Sequence, residues 1–315
     1  MKYDNFKDKK EEIKTKDKFV NLKNDYFLIK LFNNLERKRK LSFVKFNKNI
    51  KKRININNND YKEFCETYSS IEIEIKPINN KYGVFIDIKE EDEKYYHIYF
   101  NNNKEEIKRN HINEDEQITI IKIIIDYQVK SFENLFLKCD CVESINFKKF
   151  YRNNINNMCC MFFECKFLKE LNLNNFNTNS VIDMRQMFMG CSSLKELNLN
   201  NFNTNNVTDM SGMFYGCSKL KELNINNFNT NNVTLMNSMF YKCSSLEELN
   251  LNNFNFNKVI NMNVMFYECK LLKELNLNNF NTNNETHMYD MFYGCSNELI
   301  MKIKTQYQNI KNQAF

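Results

Sequence analysis

Among the side chains that could do covalent or metal chemistry, the most distinctive here are 11 cysteines and three histidines. His97, His111 and His287 lie far apart, and none stands in a nucleophile or metal motif. Four of the five glycines fall inside a repeat, and none has the clustered spacing that lets backbone N–H groups cradle a phosphate. Cys139, Cys141, Cys159, Cys160 and Cys165 are near enough in sequence to suggest zinc. They lack the paired C-x-x-C spacing of such sites. The expectation is a chain that is not an enzyme, with no catalytic residue, no metal and no cofactor.

A basic run from Arg37 to Asn59 holds Arg37, Lys38, Arg39, Lys40, Lys45, Lys48, Lys51, Lys52 and Arg53 without an acidic residue. Nucleic acid, an acidic partner or a nuclear signal could use it. A net charge of +6 is modest, and the only interleaved aromatics, Phe43 and Phe46, belong to an apolar stripe. A solvated helix face is therefore preferred, and nucleic acid is not expected as a partner. No apolar stretch reaches the roughly 18–20 residues of a membrane helix. The opening MKYDNFKDKKEEIKTKDKF is charged where a secretory leader would be apolar. These features predict a cytoplasmic or nuclear protein, no membrane contact, and cysteines that are reduced, buried and metal-free.

What positions the side chains is a repeat. Cys165, Cys191, Cys217, Cys243, Cys269 and Cys295 recur every 26 residues without slippage, in phase with Leu171, Leu197, Leu223, Leu249 and Leu275. One unit, Leu194 to Lys219, reads LKELNLNNFNTNNVTDMSGMFYGCSK. Its first half, Leu194, Leu197, Leu199 and Phe202, has the L-x-x-L-x-L-x-x-F spacing of a strand and corner, with Phe where such repeats usually carry Asn or Cys. Its second half, Val207, Met210, Met213, Phe214 and Cys217, is spaced by three and four and predicts a short helix, with Thr204, Asn205 and Asn206 as candidate N-caps. Such a unit buries its apolar side only against its neighbours. The cysteines would then stack about 5 Å apart as a core column.

The recurring FNTNNVTDMSGMFYGCS resembles the BspA-like leucine-rich repeat family, known for a surface-protein 26-residue repeat. That resemblance implies a fold and a protein-binding role, and no chemistry. The fold class expected is α/β: a leucine-rich-repeat solenoid of strand-helix units over 118–304, with ITIIKIIID at 118–126 as its first, capping strand. LIMKIK at 299–304 would close it in the Leu phase, with a polar tail at 305–315.

Residues 1–24 are charged and expected to be flexible, and 25–117 to form a small α+β cap domain. Leu28, Leu31, Phe32 and Leu35, then Phe43 and Phe46, have helical spacing in two runs and predict a helical hairpin. The helix, basic turn, helix order resembles a diverged F-box, without that motif's initial Leu-Pro, which implies a Skp-type adaptor as partner. A helical cap sealing the solenoid edge would need the same stripe. IEIEIKPI (71–78), YGVFIDI (82–88) and YYHIYFN (95–101) alternate with period two and predict an antiparallel sheet.

The residues alternating with the buried leucines would line a concave, protein-binding face: Glu170, Asn172, Asn174; Glu196, Asn198, Asn200; Glu222, Asn224, Asn226; Glu248, Asn250, Asn252; Glu274, Asn276, Asn278. Their uniformity suits a periodic or extended ligand. Variation falls instead at Arg185, Gln186, Ser211, Gly212, Asn237, Ser238, Asn263, Val264, Tyr289 and Asp290. The leading expectation is a non-enzymatic intracellular scaffold binding a protein of unknown identity. The alternatives are a ubiquitin-ligase substrate adaptor and, behind it, a cell-surface adhesin.

Overall fold

The computed structural model describes residues 48–54, 66–282, 286–307 and 310–315 and the single positions 29, 59 and 62. It divides into two compact units, Met1–Ser69 and Ser70–Phe315. In the first, a short helix α1, Lys48–Arg53, buries Ile50, and Ile54 follows it into the interior. Leu28, Leu31, Phe32, Leu35, Phe43 and Phe46, on which the hairpin expectation rests, lie outside the described residues.

The second unit is mixed α/β, mostly strands with few helices. Ile71–Pro77 (β1) alternates isoleucine with polar residues and buries Ile71, Ile73 and Ile75. With Tyr96–Phe100 (β3), Ile121–Ile125 (β5), Val142–Lys149 (β6) and Glu170–Asn172 (β7) it forms a five-stranded sheet in the order β3-β5-β1-β6-β7. The sheet therefore runs across the domain boundary expected at 117/118. The strand next to the repeats is β1, antiparallel to β6, and not the 118–126 segment, whose β5 pairs with β1 on the far side. Register explains the choice: Ile73 faces Phe147 and Ile75 faces Ile145, which in turn faces Leu171, so β1 extends the buried row of the repeats by one strand. Of 82–88 only Gly83–Val84 (β2) pairs, with His111–Ile112 (β4), in a separate two-stranded sheet. Phe85 and Ile86 are consecutive and both fully buried, which departs from the one-face-in alternation that the period-two reading expects.

From β6 onward the chain advances one coil per 26 residues. β6 and β7 pair in parallel with Ile145 opposite Leu171, and Glu248–Asn250 (β8) and Glu274–Asn276 (β9) do the same with Leu249 opposite Leu275. On the other side of each coil, parallel bridges run Ser131, Asn157, Asp183, Asp209, Leu235, Asn261, His287. Phenylalanines stack there in register, with Phe188 and Phe240 lying 5.7 and 5.6 Å from Phe214.

The second half of each unit is a chain of turns and not the short helix expected. Met213 N–H bonds back to the Met210 carbonyl and Cys217 N–H to that of Phe214, which brings Met and Phe to one face with helical spacing. The alternate donors leave the coil: Met210, Gly212, Phe214 and Gly216 give their N–H groups to Leu235, Asn237, Met239 and Tyr241 of the next one. Positive φ at Gly212 (60°) and Gly216 (70°) turns the backbone outward and recurs in the other coils, as at Gln186 and Gly190. Apolar spacing alone cannot distinguish this arrangement from a helix, because the face is the same and only the hydrogen-bond partners differ.

Asparagine supplies much of the side-chain bonding between coils, which accounts for a chain holding 58 of them. Asn201 Nδ2 donates to the carbonyls of Leu173 and Phe176 one coil back, and Asn227 repeats this on Leu199 and Phe202. Thr204, expected as an N-cap, is buried and bonds across coils instead: its hydroxyl donates to Asn229 O (2.9 Å) and accepts from Asn229 N (2.8 Å). Each ladder cysteine does likewise, Cys217 Sγ reaching Phe188 O at 3.2 Å.

At the far end LIMKIK is not a strand. Asn297–Gln306 (α2) is a helix capped by Ser296, whose hydroxyl accepts from Leu299 N. Helical spacing buries Leu299 and Ile303 and leaves Met301 69% exposed. Nor are the last residues only a polar tail. Asp290 and Phe292 donate to the carbonyls of Gln313 and Ala314, and Phe315 stacks on Phe292 at 5.4 Å, so these residues take the place of a further coil.

Candidate binding groove

The alternation read from sequence is present on the strand side. Leu171, Leu197, Leu223, Leu249 and Leu275 point inward and are buried, while the glutamates at 170, 196, 222, 248 and 274 are exposed. A groove of about 930 Å³ lies over the last three of these coils. It brings together Glu222, Asn224, Asn226, Glu248, Asn250, Glu274, Asn276 and Asn278 of the expected face, with Lys221 and Glu247. Glu170, Asn172, Asn174, Glu196, Asn198, Asn200 and Asn252 lie outside its lining. Gln306 and Tyr307, from the end of α2, also line it. The reading of 299–304 as the close of the solenoid in the Leu phase hid that contribution; the cue was the i, i+4 spacing of Leu299 and Ile303, the period of a helix.

What the groove presents follows from local bonding. The Asn224, Asn250 and Asn276 side-chain carbonyls each accept the backbone N–H two residues on, at 3.2, 3.0 and 3.3 Å. This closes the turn that ends each short strand. One lone pair of the amide oxygen is thereby used, so each of these side chains can still offer a ligand its NH2 and a second lone pair. Tyr307 Oη accepts from Leu277 N (3.0 Å) and fixes the helix end against the last coil. Four carboxylates, Glu222, Glu247, Glu248 and Glu274, face one ammonium, Lys221, so the lining is acidic. Lys302 beside the groove pairs with Glu274 at 2.8 Å, and Lys273 with Glu247 at 3.8 Å.

Elsewhere, of the side chains considered for chemistry, Cys159 and Cys160 lie side by side, their sulfurs 3.4 Å apart. His97, on the edge strand β3 of the five-stranded sheet, lies 3.0 Å from Glu106 and 3.5 Å from Asp126. Among the described residues no three His, Cys, Asp or Glu side chains converge as a metal-binding group, and no helix is long and apolar enough to cross a membrane. Burial pushes the ladder thiols up, as at Cys217, raised to about 12. Cys160 departs from the expectation of buried cysteines, being only half-buried, because its column is the variable one on the outer turns.

Parallel stacking in 26-residue register, with one acidic face, defines a repeat protein of mixed α/β build. A family model described as "Mycoplasma protein of unknown function, DUF285" matches residues 130–223 and 195–303. The two matches together span more than half of the chain, and the chain belongs to that family. No curated protein and no solved structure matches it.

Proposed function

We propose that the chain is a non-enzymatic, intracellular scaffold built as an open leucine-rich-repeat solenoid of the BspA-like kind, and that its groove binds an extended, basic segment of another protein. The observation that carries this reading is the repeated exposed glutamate, once per coil, backed by amide NH2 groups in the same register. A ligand that meets the same side chains at each step gains from being extended and repetitive, since each coil contributes a similar increment. Carboxylates that outnumber ammonium groups favour Lys- or Arg-rich partners and speed their encounter at low salt.

The test is titration of the full chain with a labelled Lys-rich peptide and with its Glu-rich counterpart, read by fluorescence anisotropy. Binding of the basic peptide alone is expected, weakening with salt. Combining Glu222→Lys, Glu248→Lys and Glu274→Lys should remove it. Equal binding of both peptides, or no loss in the triple variant, would reject the groove as the site.

A further inference from the structure

The 26-residue frame supplies its own control. Ladder cysteines recur in every clear copy and sit in the core, but Cys159 and Cys160 do not recur. The same two columns hold Arg185 and Gln186, then Ser211 and Gly212, Asn237 and Ser238, Asn263 and Val264, Tyr289 and Asp290. Packing therefore does not require thiols at these two positions.

The coil that follows equips them. Cys159 Sγ and Cys160 Sγ are 3.4 Å apart, and Arg185 Nε donates to Cys159 Sγ at 3.4 Å. Asp183 holds that guanidinium in place, its Oδ2 accepting from Arg185 Nη2 at 3.2 Å. Cys160 Sγ reaches Gln186 Oε1 at 3.3 Å. The backbone fixes both thiols: Cys159 N donates to Asn157 Oδ1, and Cys160, at φ 55°, donates its N–H to Arg185 O.

We infer that Cys159 and Cys160 are a redox-active dithiol that small hydroperoxides oxidise to a disulfide. Hydrogen bonding from Cys160, then from Arg185, draws the Cys159 thiol below its usual range, as a cationic neighbour does for reactive cysteines. The same contact with Cys159, with burial, pushes Cys160 up and keeps it protonated. In the ladder, burial first and then the neighbouring thiols raise Cys191 and Cys243. Cys159 is 4% exposed, which shuts out bulky electrophiles, whereas its neighbours Cys160 and Arg185 are half-buried and exposed.

The Cys159 thiolate attacks the terminal oxygen of the hydroperoxide, and the O–O bond breaks to leave a sulfenic acid and an alkoxide. Arg185 faces the developing negative charge, and Cys160 gives its proton to the alkoxide, releasing an alcohol. The Cys160 thiolate then attacks the Cys159 sulfur, and hydroxide departs and becomes water by taking up the proton that Cys159 gave to solvent when it ionised. Both cysteine sulfurs are oxidised by one electron each as the peroxide bond is reduced. Closing the bond moves the sulfurs from 3.4 Å to about 2.05 Å.

The test uses the full chain with equimolar hydrogen peroxide at neutral pH, followed by denaturation, thiol alkylation and peptide mass mapping. The peptide carrying both residues should lose two hydrogens about tenfold faster than any ladder cysteine is modified, and dithiothreitol should restore it. Cys160→Ser should stop at a sulfenic acid on Cys159 that dimedone traps, and Arg185→Ala should slow the reaction. Ladder cysteines reacting as fast as the pair in the unaltered chain would overturn the inference. So would Cys160→Ser protein that folds and yields no sulfenic acid.

Discussion

The two sides of each coil repeat with the same period but are joined to their neighbours differently. On the turn side an unbroken series of parallel bridges runs from Ser131 to His287, with four backbone donors per coil aimed at the next. Phenylalanines at 136, 162, 188, 214, 240, 266 and 292 stack beneath it. On the strand side the ladder is formed between β6 and β7 and between β8 and β9, and the copies at 196–198 and 222–224 do not form strands. The turn column is the spine of this array, and the strand face, bearing the groove, is its more loosely tied surface. Sequence repetition therefore does not measure mechanical importance: the LKELNLNN half is as regular as the MFYGC half, yet more of the backbone bonding between coils falls in the latter.

The sharpest way to break this comparison is to truncate one core residue on each side. Phe214 is fully buried and stacked between two rings, whereas Leu223 is 7% exposed at the floor of the groove. Phe214→Ala should cost about 3–5 kcal/mol and Leu223→Ala about 2–3 kcal/mol, as for large-to-small changes at a closed and a partly open site. Urea melts check the ranking. If Leu223→Ala were the more damaging, the strand side would be the spine.

A smaller effect tests the bonding between coils without making a cavity. Thr204→Val keeps the shape but removes a hydroxyl that both donates to and accepts from Asn229, leaving two backbone groups of that residue without this partner. The expected loss is about 1–3 kcal/mol. Asn198→Ala removes an acceptor for Asn200 N–H at an exposed turn, which water can replace, and should cost under about 1 kcal/mol. Equal losses would mean that the strand-face asparagines tie the coils as strongly as the buried threonines do.

Much of this was legible in the sequence. The period, the inward leucines and the outward Glu and Asn columns follow from simple alternation, and the structure has them at the expected residues. The turn column was read as helical because Val207, Met210, Met213, Phe214 and Cys217 share a face in either case. A cue against the helix was present: Gly212 and Gly216, four apart, are poor helix formers and free to take positive φ. The placement of β1 was illegible for another reason. Strands adjacent in sequence usually pair, and only the register of Ile73 and Ile75 against β6 shows why this one is threaded between β5 and β6. The pairing of Cys159 with Arg185 needed the stacking itself, since it joins residues one full coil apart.

The smallest effect sharpens the view of the spine as a set of left-handed turns. The same turn position is filled by Gln186, Gly212, Ser238, Val264 and Asp290, all at positive φ. Valine is the least suited of these, because its branched Cβ crowds the carbonyl in that conformation. At 51° Val264 stores strain that the ladder must overcome, with its N–H bonded to Tyr289 O. Val264→Asn keeps a side chain there and relieves the crowding, so stability should rise by about 1 kcal/mol. Gly216→Ala introduces the opposite change four residues along another coil. Its added Cβ would meet nothing closer than 3.7 Å, so the expected loss of about 1 kcal/mol reports φ alone and not a clash. Thermal melts of the two variants should shift in opposite directions. Equal shifts of one sign would show that the turns tolerate any residue and that the bonding between coils, not backbone conformation, sets their geometry.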